Sequence, residues 1–192
     1  MKNIICVSAP SGAGKTTLCK AIRKKCSDLL WSVSYTTRQA RSNEINGEDY
    51  HFISKSKFDL HASNNDFAEF ENVHGEYYGT MKINLESSIE NQKIILLDLD
   101  VNGTMAIKKL YPNSSVSIFI VPPSIDSLRQ RLMNRGTETK MSIDKRLERF
   151  NKEMKYKDRF DTLLINDNIE VAINNFILIF NKVFQIHFYT CL

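Results

Sequence analysis

The 192-residue sequence lacks several features that would assign it to a special class of protein. Its four cysteines contain no CxxC pair and no spacing typical of a metal site, so we expect reduced thiols and a cytoplasmic protein. No dense run of Lys and Arg is present and the net charge is only +4, which argues against nucleic-acid binding. The longest apolar stretch, FILIFNKVFQIHF, is interrupted by polar residues and is too short for a membrane span. We also expect no signal peptide, because the N-terminus runs directly into a glycine-rich loop.

The first thirty residues predict a phosphate-binding loop (P-loop). An apolar, β-rich run, KNIICVS, leads into APSGAGKTT and then into the helical stretch LCKAIRKKC. Strand, glycine-rich loop and helix in this order support the pattern GxxxxGK[ST], here with Ala9 in place of the first glycine. Gly12 and Gly14 would let backbone N–H groups turn towards phosphate oxygens. Lys15 would meet the β- and γ-phosphates, and Thr16 would hold Mg²⁺. The alternative is an ordinary strand–helix turn with a chance lysine.

The stretch KIILLDLD predicts acidic groups beside that loop. Residues 94–97 are continuously apolar, as in a central parallel strand. Asp98 and Asp100 follow at the carboxyl end, where open α/β sheets bind ligands. Asp100 could equally cap a helix beginning near residue 102, or serve both purposes.

The remaining pattern predicts an α/β doubly wound domain with a parallel sheet and flanking helices. Further strands are expected at 115–121 and 162–167, and helices at 124–134, 142–155 and 169–184, with Ser124 and Ser142 at N-cap positions. The core is then formed by residues 1–34 and 92–192. Residues 35–91 do not follow a βα pattern and predict an inserted α+β lobe. The polar loop NRGTETKMS predicts a mobile lid at about 134–145.

Five arginines lie around the predicted lobe and lid. Arg38 and Arg41 belong to the lobe, Arg131 and Arg135 share a helix face, and Arg146 follows the polar loop. Any one of them could lie on a solvated surface. As a set they favour phosphoryl transfer, in which fixed positive charge stabilises the negative charge spread over the transferred group.

The sequence resembles the bacterial guanylate kinases from about Ile4 to Asn168. The resemblance rests on SAPSGAGKTTL, SVSYTTRQAR, GEDYHF, FAEFENVHGEYYGT, LLDLDVNG, IFIVPPS, LRQRLMNRGTE and INDN. It implies a P-loop NTPase-type core with a GMP-binding lobe and a lid. The implied reaction is Mg²⁺-dependent transfer of the γ-phosphate of ATP to GMP or dGMP, giving ADP and GDP.

The resemblance also implies a role for individual residues. The catalytic residues are Lys15, Arg41, Arg135 and Arg146. ATP is bound by Ala9, Pro10, Ser11, Gly12, Ala13, Gly14, Lys15, Thr16, Thr17, Arg131 and Asn168. GMP is bound by Ser34, Arg38, Arg41, Tyr50, Glu69, Tyr78, Thr80, Asp98 and Asp100, and Mg²⁺ by Thr16 and Asp98, partly through water. Base chemistry supports Glu69, because guanine presents N1–H and an N2 amino group side by side and adenine does not.

Two other functions stay open at this point. A nucleoside monophosphate kinase of the adenylate or thymidylate type would share the loop and the arginines, but gives no reason for Glu69 and Thr80. A guanylate-kinase-like scaffolding module would bind phosphopeptides in the lobe, but such modules typically have an eroded P-loop. The sequence departs from the family at Glu71 and Phe150, where small residues are common, and at Met81, where a small polar residue is frequent. The oligomeric state, any preference between GMP and dGMP, and the role of residues 184–192 are left open.

Overall fold

A computed structural model describes residues 2–26, 28–73, 75–134 and 140–184. Its strands are β1 Ile4–Ser8, β2 Leu30–Trp31, β3 Tyr35–Thr36, β4 His51–Phe52, β5 Phe67–Val73, β6 Glu76–Met81, β7 Ile95–Asp98, β8 Ser115–Val121 and β9 Thr162–Ile165. The α-helices are α1 Lys15–Lys25, α2 Lys55–Ser63, α3 Lys82–Glu90, α4 Val101–Leu110, α5 Ile125–Asn134, α6 Lys140–Met154 and α7 Ile169–Phe184. A 3₁₀ turn, Lys157–Arg159, precedes β9.

Five strands form a parallel sheet in the order β2-β7-β1-β8-β9. The first strand of the chain is central, and β7, which is distant in sequence, lies beside it. The chain therefore moves to one side of β1 for β2 and β7 and to the other for β8 and β9. The carboxyl ends of β1 and β7 are adjacent at this change of direction, where ligands bind in doubly wound sheets. This is the predicted α/β fold.

Helices cover both faces of this sheet because successive strand residues point to opposite faces. On one face, Ile5 and Val7 pack with α1 and α7 in a cluster that includes Leu18, Ile22 and Phe176. On the other, the main cluster comprises Ile4, Cys6, Leu85, Ile95, Leu97, Leu99 and Ile107, and so includes residues of α3 and α4. Burial raises the pKa of the Cys6 and Cys19 thiols, which keeps these core cysteines protonated.

A second sheet has the order β4-β3-β6-β5 and comes from the segment that the sequence assigned to an inserted lobe. β5 and β6 form an antiparallel hairpin in which Gly75 has a φ of +91°. The hairpin packs on α2, whose Phe58 stacks on Phe67 with ring centroids 4.5 Å apart. Ser54 caps α2 by accepting a hydrogen bond from Lys57 N. The stretch FAEFENVHGEYYGT therefore contributes most of both strands of a hairpin.

The expected elements differ from the observed ones mainly at their ends. Helix α7 agrees with the predicted bounds, and Ser124 accepts a hydrogen bond from Ser127 N at the start of α5. The predicted N-cap at Ser142 is wrong, because α6 already begins at Lys140. None of the helices in the described part of the chain is long and apolar enough to cross a membrane.

Candidate functional site

The glycine-rich segment lies between β1 and α1, at the carboxyl edge of the core sheet. Gly12 and Gly14 each have a φ of +88°, which side chains disfavour. A Cβ at Gly12 would lie 2.8 Å from Leu128 Cδ1, and one at Gly14 would lie 2.5 Å from Asn166 Nδ2. Both positions therefore need glycine for conformation and for space. The N-terminus of α1 adds its positive dipole end to this segment.

Lys15 is ion-paired with a carboxylate from the neighbouring strand. Because Val7 of β1 pairs with Asp98 of β7, the Asp98 side chain lies beside the loop that follows β1. Lys15 Nζ donates hydrogen bonds to Asp98 Oδ1 and, at 2.9 Å, to Leu99 O. Burial alone would lower the pKa of Lys15, but the charge and hydrogen bond of Asp98 outweigh burial and raise the pKa above its usual value. The ammonium group is therefore held in place and charged at neutral pH.

A wide cavity of about 550 Å³ lies on the other side of the loop. It is lined by Gly12, Gly14, Thr17, Arg131, Asn166, Asp167, Asn168 and Ile169. Asn166 Nδ2 donates to Ala13 O, and Arg131 donates to the carbonyl oxygens of Asn166 and Asp167, all at 2.8 Å. Asn168 Oδ1 accepts from two N–H groups at the start of α7 and so caps this helix. Arg131 and Asn168 thus shape this wall, and their contacts with a nucleotide remain a prediction.

A cavity of about 230 Å³ lies between the two sheets. It is lined by Lys15, Ser34, Tyr50, Glu69, Glu71, Val73, Tyr78, Asp98, Leu99, Asp100 and Arg149. Seven of these side chains are ones that the sequence predicted for nucleotide or metal binding. They come from loops and strands that are distant in the chain, and the fold alone brings them to one space.

Glu69 and Thr80 face each other across the hairpin at this cavity. Thr80 is fully buried, and its Oγ1 donates to Glu69 Oε1 at 2.5 Å. Burial raises the pKa of Glu69 to about 7, the charges of Asp100 and Glu71 act in the same direction, and the Thr80 hydrogen bond partly opposes them. A Cβ on Gly103 would lie 2.8 Å from Glu69 Oε2, so glycine lets α4 approach the carboxylate. The carboxylate is therefore oriented and poised to accept hydrogen bonds from a ligand.

Asp100 caps a helix and also lies at the cavity, and its contact with a ligand stays a prediction. Its Oδ1 accepts a hydrogen bond from Gly103 N at 2.8 Å, which caps α4, and the residue also lines the cavity. Glu71, to which the sequence assigned no role, lines the same cavity. Burial raises the pKa of Glu71, helped by the Asp100 charge and opposed by a hydrogen bond with Asn102.

Arg38 is already paired inside the protein. Its two terminal nitrogens donate to the two oxygens of Glu44, both at 2.9 Å. Its Nε donates to the Tyr78 hydroxyl at 3.2 Å, and one terminal nitrogen also donates to Gln39 O at 2.7 Å. Four hydrogen bonds use four of the five N–H groups of a guanidinium. The hydrogen bonds from Arg38 are the main cause that lowers the pKa of Glu44.

A neighbouring cavity of about 260 Å³ contains the other cations of this region. It is lined by Thr16, Lys20, Arg38, Arg41, Asn43, Glu44, Asp49, Tyr50 and Tyr78. The backbone N–H of Arg41 also donates to Glu44, at 2.8 Å. Tyr50 and Tyr78 line both this cavity and the central one, so their rings form the boundary between them.

Helix α6 contributes Arg149 to the central cavity, and Arg146 is not among the described residues that line that cavity. Arg149 Nε donates to Glu153 Oε1 at 2.8 Å, one helical turn later. The other oxygen of Glu153 accepts a hydrogen bond from Ser11 N in the glycine-rich segment, also at 2.8 Å. The predicted residue Arg135 lies outside the described residues, as do residues 136–139 of the predicted lid, whereas residues 140–145 belong to α6.

Oxygen ligands suited to Mg²⁺ lie at the end of the P-loop. Thr16, Ser34 and Asp98 line a small cavity of about 60 Å³ behind Tyr50. A hydroxyl and a carboxylate fit the preference of Mg²⁺ for hard oxygen ligands. Within the described ranges, no group of three or more His, Cys, Asp or Glu side chains could hold a metal ion. An ion at this position would therefore need further oxygens from nucleotide phosphates or water.

Sequence reasoning missed Glu44, Arg149 and Glu153. The spacing of Arg149 and Glu153 on a predicted helix is that of an ion pair, which is the only signal the sequence offers for them. Nothing in the sequence indicates that Glu153 reaches the glycine-rich segment or that Glu44 pairs with Arg38.

Comparison with known proteins identifies relatives of this chain. A family model described as guanylate kinase matches residues 1–182. A curated guanylate kinase from Chlorobium luteolum is 42% identical over 175 residues, which cover 91% of this chain and 89% of that protein. A curated guanylate kinase from Wolinella succinogenes is 42% identical over 167 residues, covering 87% of this chain and 78% of that protein.

Solved structures agree with this comparison. The crystal structure of guanylate kinase from Anaplasma phagocytophilum superposes with a TM-score of 0.77 at 29% identity, covering 99% of this chain and 88% of that one. Shikimate kinase from Bacteroides thetaiotaomicron superposes with a TM-score of 0.52 at 14% identity, covering 96% of this chain and 99% of that one. The second similarity concerns the fold alone.

Proposed function

The chain belongs to the guanylate kinase family, whose reaction is the ATP-dependent phosphorylation of GMP, and we propose that its cavities divide this reaction between two nucleotides. GMP occupies the central cavity and its neighbour, with residues 35–91 acting as the GMP-binding lobe. ATP occupies the wide cavity beside the P-loop, which belongs to the core formed by residues 1–34 and 92–192. The observation that carries this proposal is the meeting of Lys15 and Asp98 with Glu69 and Tyr78 in one cavity.

GMP is recognised at two points. Glu69, oriented by Thr80, accepts hydrogen bonds from N1–H and the N2 amino group of guanine. A base without this pair of donors would leave the buried carboxylate unpaired, which discriminates strongly against it. Ser34 and the hydroxyls of Tyr50 and Tyr78 bind the phosphate. dGMP is recognised in the same way, because none of these contacts involves the 2′-hydroxyl.

Arg38, Arg41 and Lys15 supply positive charge along the path of the phosphate. Arg41 lines the cavity beside Tyr78. Arg38 contributes its remaining N–H group to the phosphate, and it would contribute further N–H groups if Glu44 released them. During transfer, a GMP phosphate oxygen bonds to the γ-phosphorus while the bond to the β,γ-bridging oxygen breaks and ADP leaves. Fixed positive charge stabilises the negative charge on the transferred group.

ATP is held by the glycine-rich segment and its surroundings. Backbone N–H groups of Gly12, Gly14, Lys15, Thr16 and Thr17, at the N-terminus of α1, face its phosphates. The wall built by Arg131, Asn166 and Asn168 accommodates the adenine. The predicted lid arginines, Arg135 and Arg146, complete the site when the enzyme closes.

Thr16 and Asp98 would hold Mg²⁺, Asp98 partly through water. The bound ion would neutralise phosphate charge during transfer. This role matches the oxygen ligands present and the need for phosphate oxygens to complete the coordination.

A coupled assay of ADP formation tests the function directly. The purified protein is given ATP and Mg²⁺ with GMP, dGMP, AMP, UMP or TMP. We expect turnover with GMP and dGMP, loss of turnover on chelation of Mg²⁺, and little turnover with the other three. Robust turnover of AMP with none of GMP would contradict the proposal.

A further inference from the structure

A short chain of hydrogen bonds connects the P-loop to helix α6. The backbone N–H of Ser11 donates to one oxygen of Glu153, and the other oxygen accepts from Arg149 Nε, each at 2.8 Å. Ser11 and Glu153 are 142 positions apart in the chain, so this contact depends on the fold. The Glu153 side chain is 17% exposed and that of Arg149 is 45% exposed. One carboxylate therefore anchors α6 on the P-loop and orients an arginine.

The charges around the central cavity indicate a role for Arg149. Four carboxylates line the cavity, from Glu69, Glu71, Asp98 and Asp100. Among the described residues that line it, the positive side chains are Lys15 and Arg149, and Lys15 is ion-paired with Asp98. An anionic phosphate that enters this acidic space needs an additional cation. Arg149 is the one that the structure directs there.

The helix pair alone does not explain this arrangement. Exposed ion pairs between positions i and i+4 stabilise a helix only slightly. Such a pair gives no reason for the carboxylate to reach the P-loop, or for the arginine to line the cavity that holds Lys15. Glu153 accepts a hydrogen bond from Nε of Arg149. The terminal N–H groups of this arginine are therefore left to contact a ligand.

We propose that Arg149 is a further catalytic residue, which contacts the phosphoryl group during transfer, and that Glu153 is its positioning residue. This inference rests on the proposed function. It adds one arginine to those that the sequence predicted. It also gives the P-loop a route to that arginine, because Ser11 and Arg149 bind the same carboxylate.

The main test compares the variants Arg149→Ala and Arg149→Lys with Lys152→Ala. Lys152 lies on the same helix, is exposed, and does not line the cavity, so its variant controls for the loss of one positive charge. We expect Arg149→Ala to lower kcat by about ten- to a hundredfold, less than a fully buried transition-state donor because the side chain is partly exposed. The KM for ATP should change less than twofold. Arg149→Lys should recover part of kcat, because it retains the charge without the fork.

Several outcomes would overturn the proposal. One is a kcat for Arg149→Ala within twofold of the Lys152→Ala value. Another is a raised KM for GMP with unchanged kcat, since this would assign Arg149 to ground-state binding. Melting temperatures identify a folding defect, and if Arg149→Ala does not fold, kcat of Arg149→Lys relative to Lys152→Ala decides. If the wild-type protein fails to phosphorylate GMP, the proposed function fails; if it succeeds and the variants match the control, only this inference fails.

The role of Glu153 is tested by Glu153→Gln alone and combined with Arg149→Ala. The amide keeps an acceptor for the P-loop but loses the charge that holds the arginine. We expect a smaller fall in kcat than for Arg149→Ala, and a double variant no slower than Arg149→Ala, because residues that act as a unit are not additive. A lowered melting temperature with unchanged kcat, or a fully additive double variant, would show that Glu153 does not act through Arg149.

Discussion

The two regions that we propose to bind phosphate differ in how their binding groups are held. The P-loop uses backbone N–H groups, two glycines with a φ of +88°, and Lys15, which is paired with Asp98. The proposed GMP-binding lobe uses side chains, and four N–H groups of its Arg38 already donate hydrogen bonds within the protein. A backbone site is fixed by its local conformation, whereas a side-chain site depends on the hydrogen-bond partners of its side chains. The backbone site can be recognised from the spacing of residues in the sequence, whereas the side-chain site is recognised only in the structure.

Replacing Lys15 should give the largest effect and would test the P-loop side of the comparison. We expect Lys15→Ala to lower kcat at least about 10³-fold, because it removes a fixed charge from the transferred phosphate. The fold should survive, since the glycines and the core sheet are unchanged. Coupled kinetics give kcat, and circular dichroism with thermal melting checks the fold. A variant that retains a tenth of wild-type kcat would refute this role.

Glu69→Gln tests the base-recognition side. The amide places a donor where guanine also presents donors, so kcat/KM for GMP should fall by about 10²-fold, the equivalent of one or two hydrogen bonds to a charged group. The KM for ATP should stay within twofold. Glu71→Gln is the matched control on the same strand, and its expected effect is small. If Glu71→Gln is crippling and Glu69→Gln is silent, the wrong carboxylate has been assigned to guanine.

The pH dependence of GMP affinity should also identify Glu69 as the residue that recognises the base. Burial raises the pKa of Glu69 to about 7, so the side chain gains a proton as the pH falls below 7. A protonated carboxyl cannot accept both guanine donors, and GMP affinity should therefore fall about tenfold from pH 8 to pH 6. Titration calorimetry at both pH values measures this change. In Glu69→Gln the change between the two pH values should shrink to that of GMP itself, and an equal dependence would rule out Glu69 as the titrating group.

The parts of the protein that were predictable from sequence share a local cause. Alternating apolar strands and helices predicted the parallel sheet, and the order strand, glycine-rich loop, helix predicted the P-loop. The closeness of Lys15 and Asp98 follows from strand order, because β7 inserts next to β1, whereas Glu69 reaches the same cavity from the second sheet. Sequence motifs identified these residues without showing this adjacency. Their contacts with nucleotides stay predictions.

The residues that were missed make contacts whose geometry the sequence does not record. Glu153 reaches Ser11 across the fold, and no periodicity records that contact. Glu44 is close to Arg38 in sequence, but its bidentate geometry depends on the loop that returns to Tyr50. Ser142 was misassigned because a serine before an apolar run resembles an N-cap, whereas α6 begins two residues earlier.

The smallest expected effect concerns Glu44, and its sign distinguishes two states of the lobe. If Glu44 keeps Arg38 oriented when GMP is bound, Glu44→Gln should raise the KM for GMP about fivefold, equivalent to about 1 kcal/mol for a weakened hydrogen bond. If the carboxylate instead competes with the GMP phosphate for Arg38, the same change should lower that KM. We expect the rise, because the oxygens of Glu44 also accept from the backbone of Arg41 and so hold both arginines in one arrangement. Coupled kinetics on Glu44→Gln and on Glu48→Gln, an exposed glutamate in the same loop, separate this effect from a simple loss of negative charge. A KM for GMP below the control value would mean that Arg38 must release Glu44 before it binds substrate.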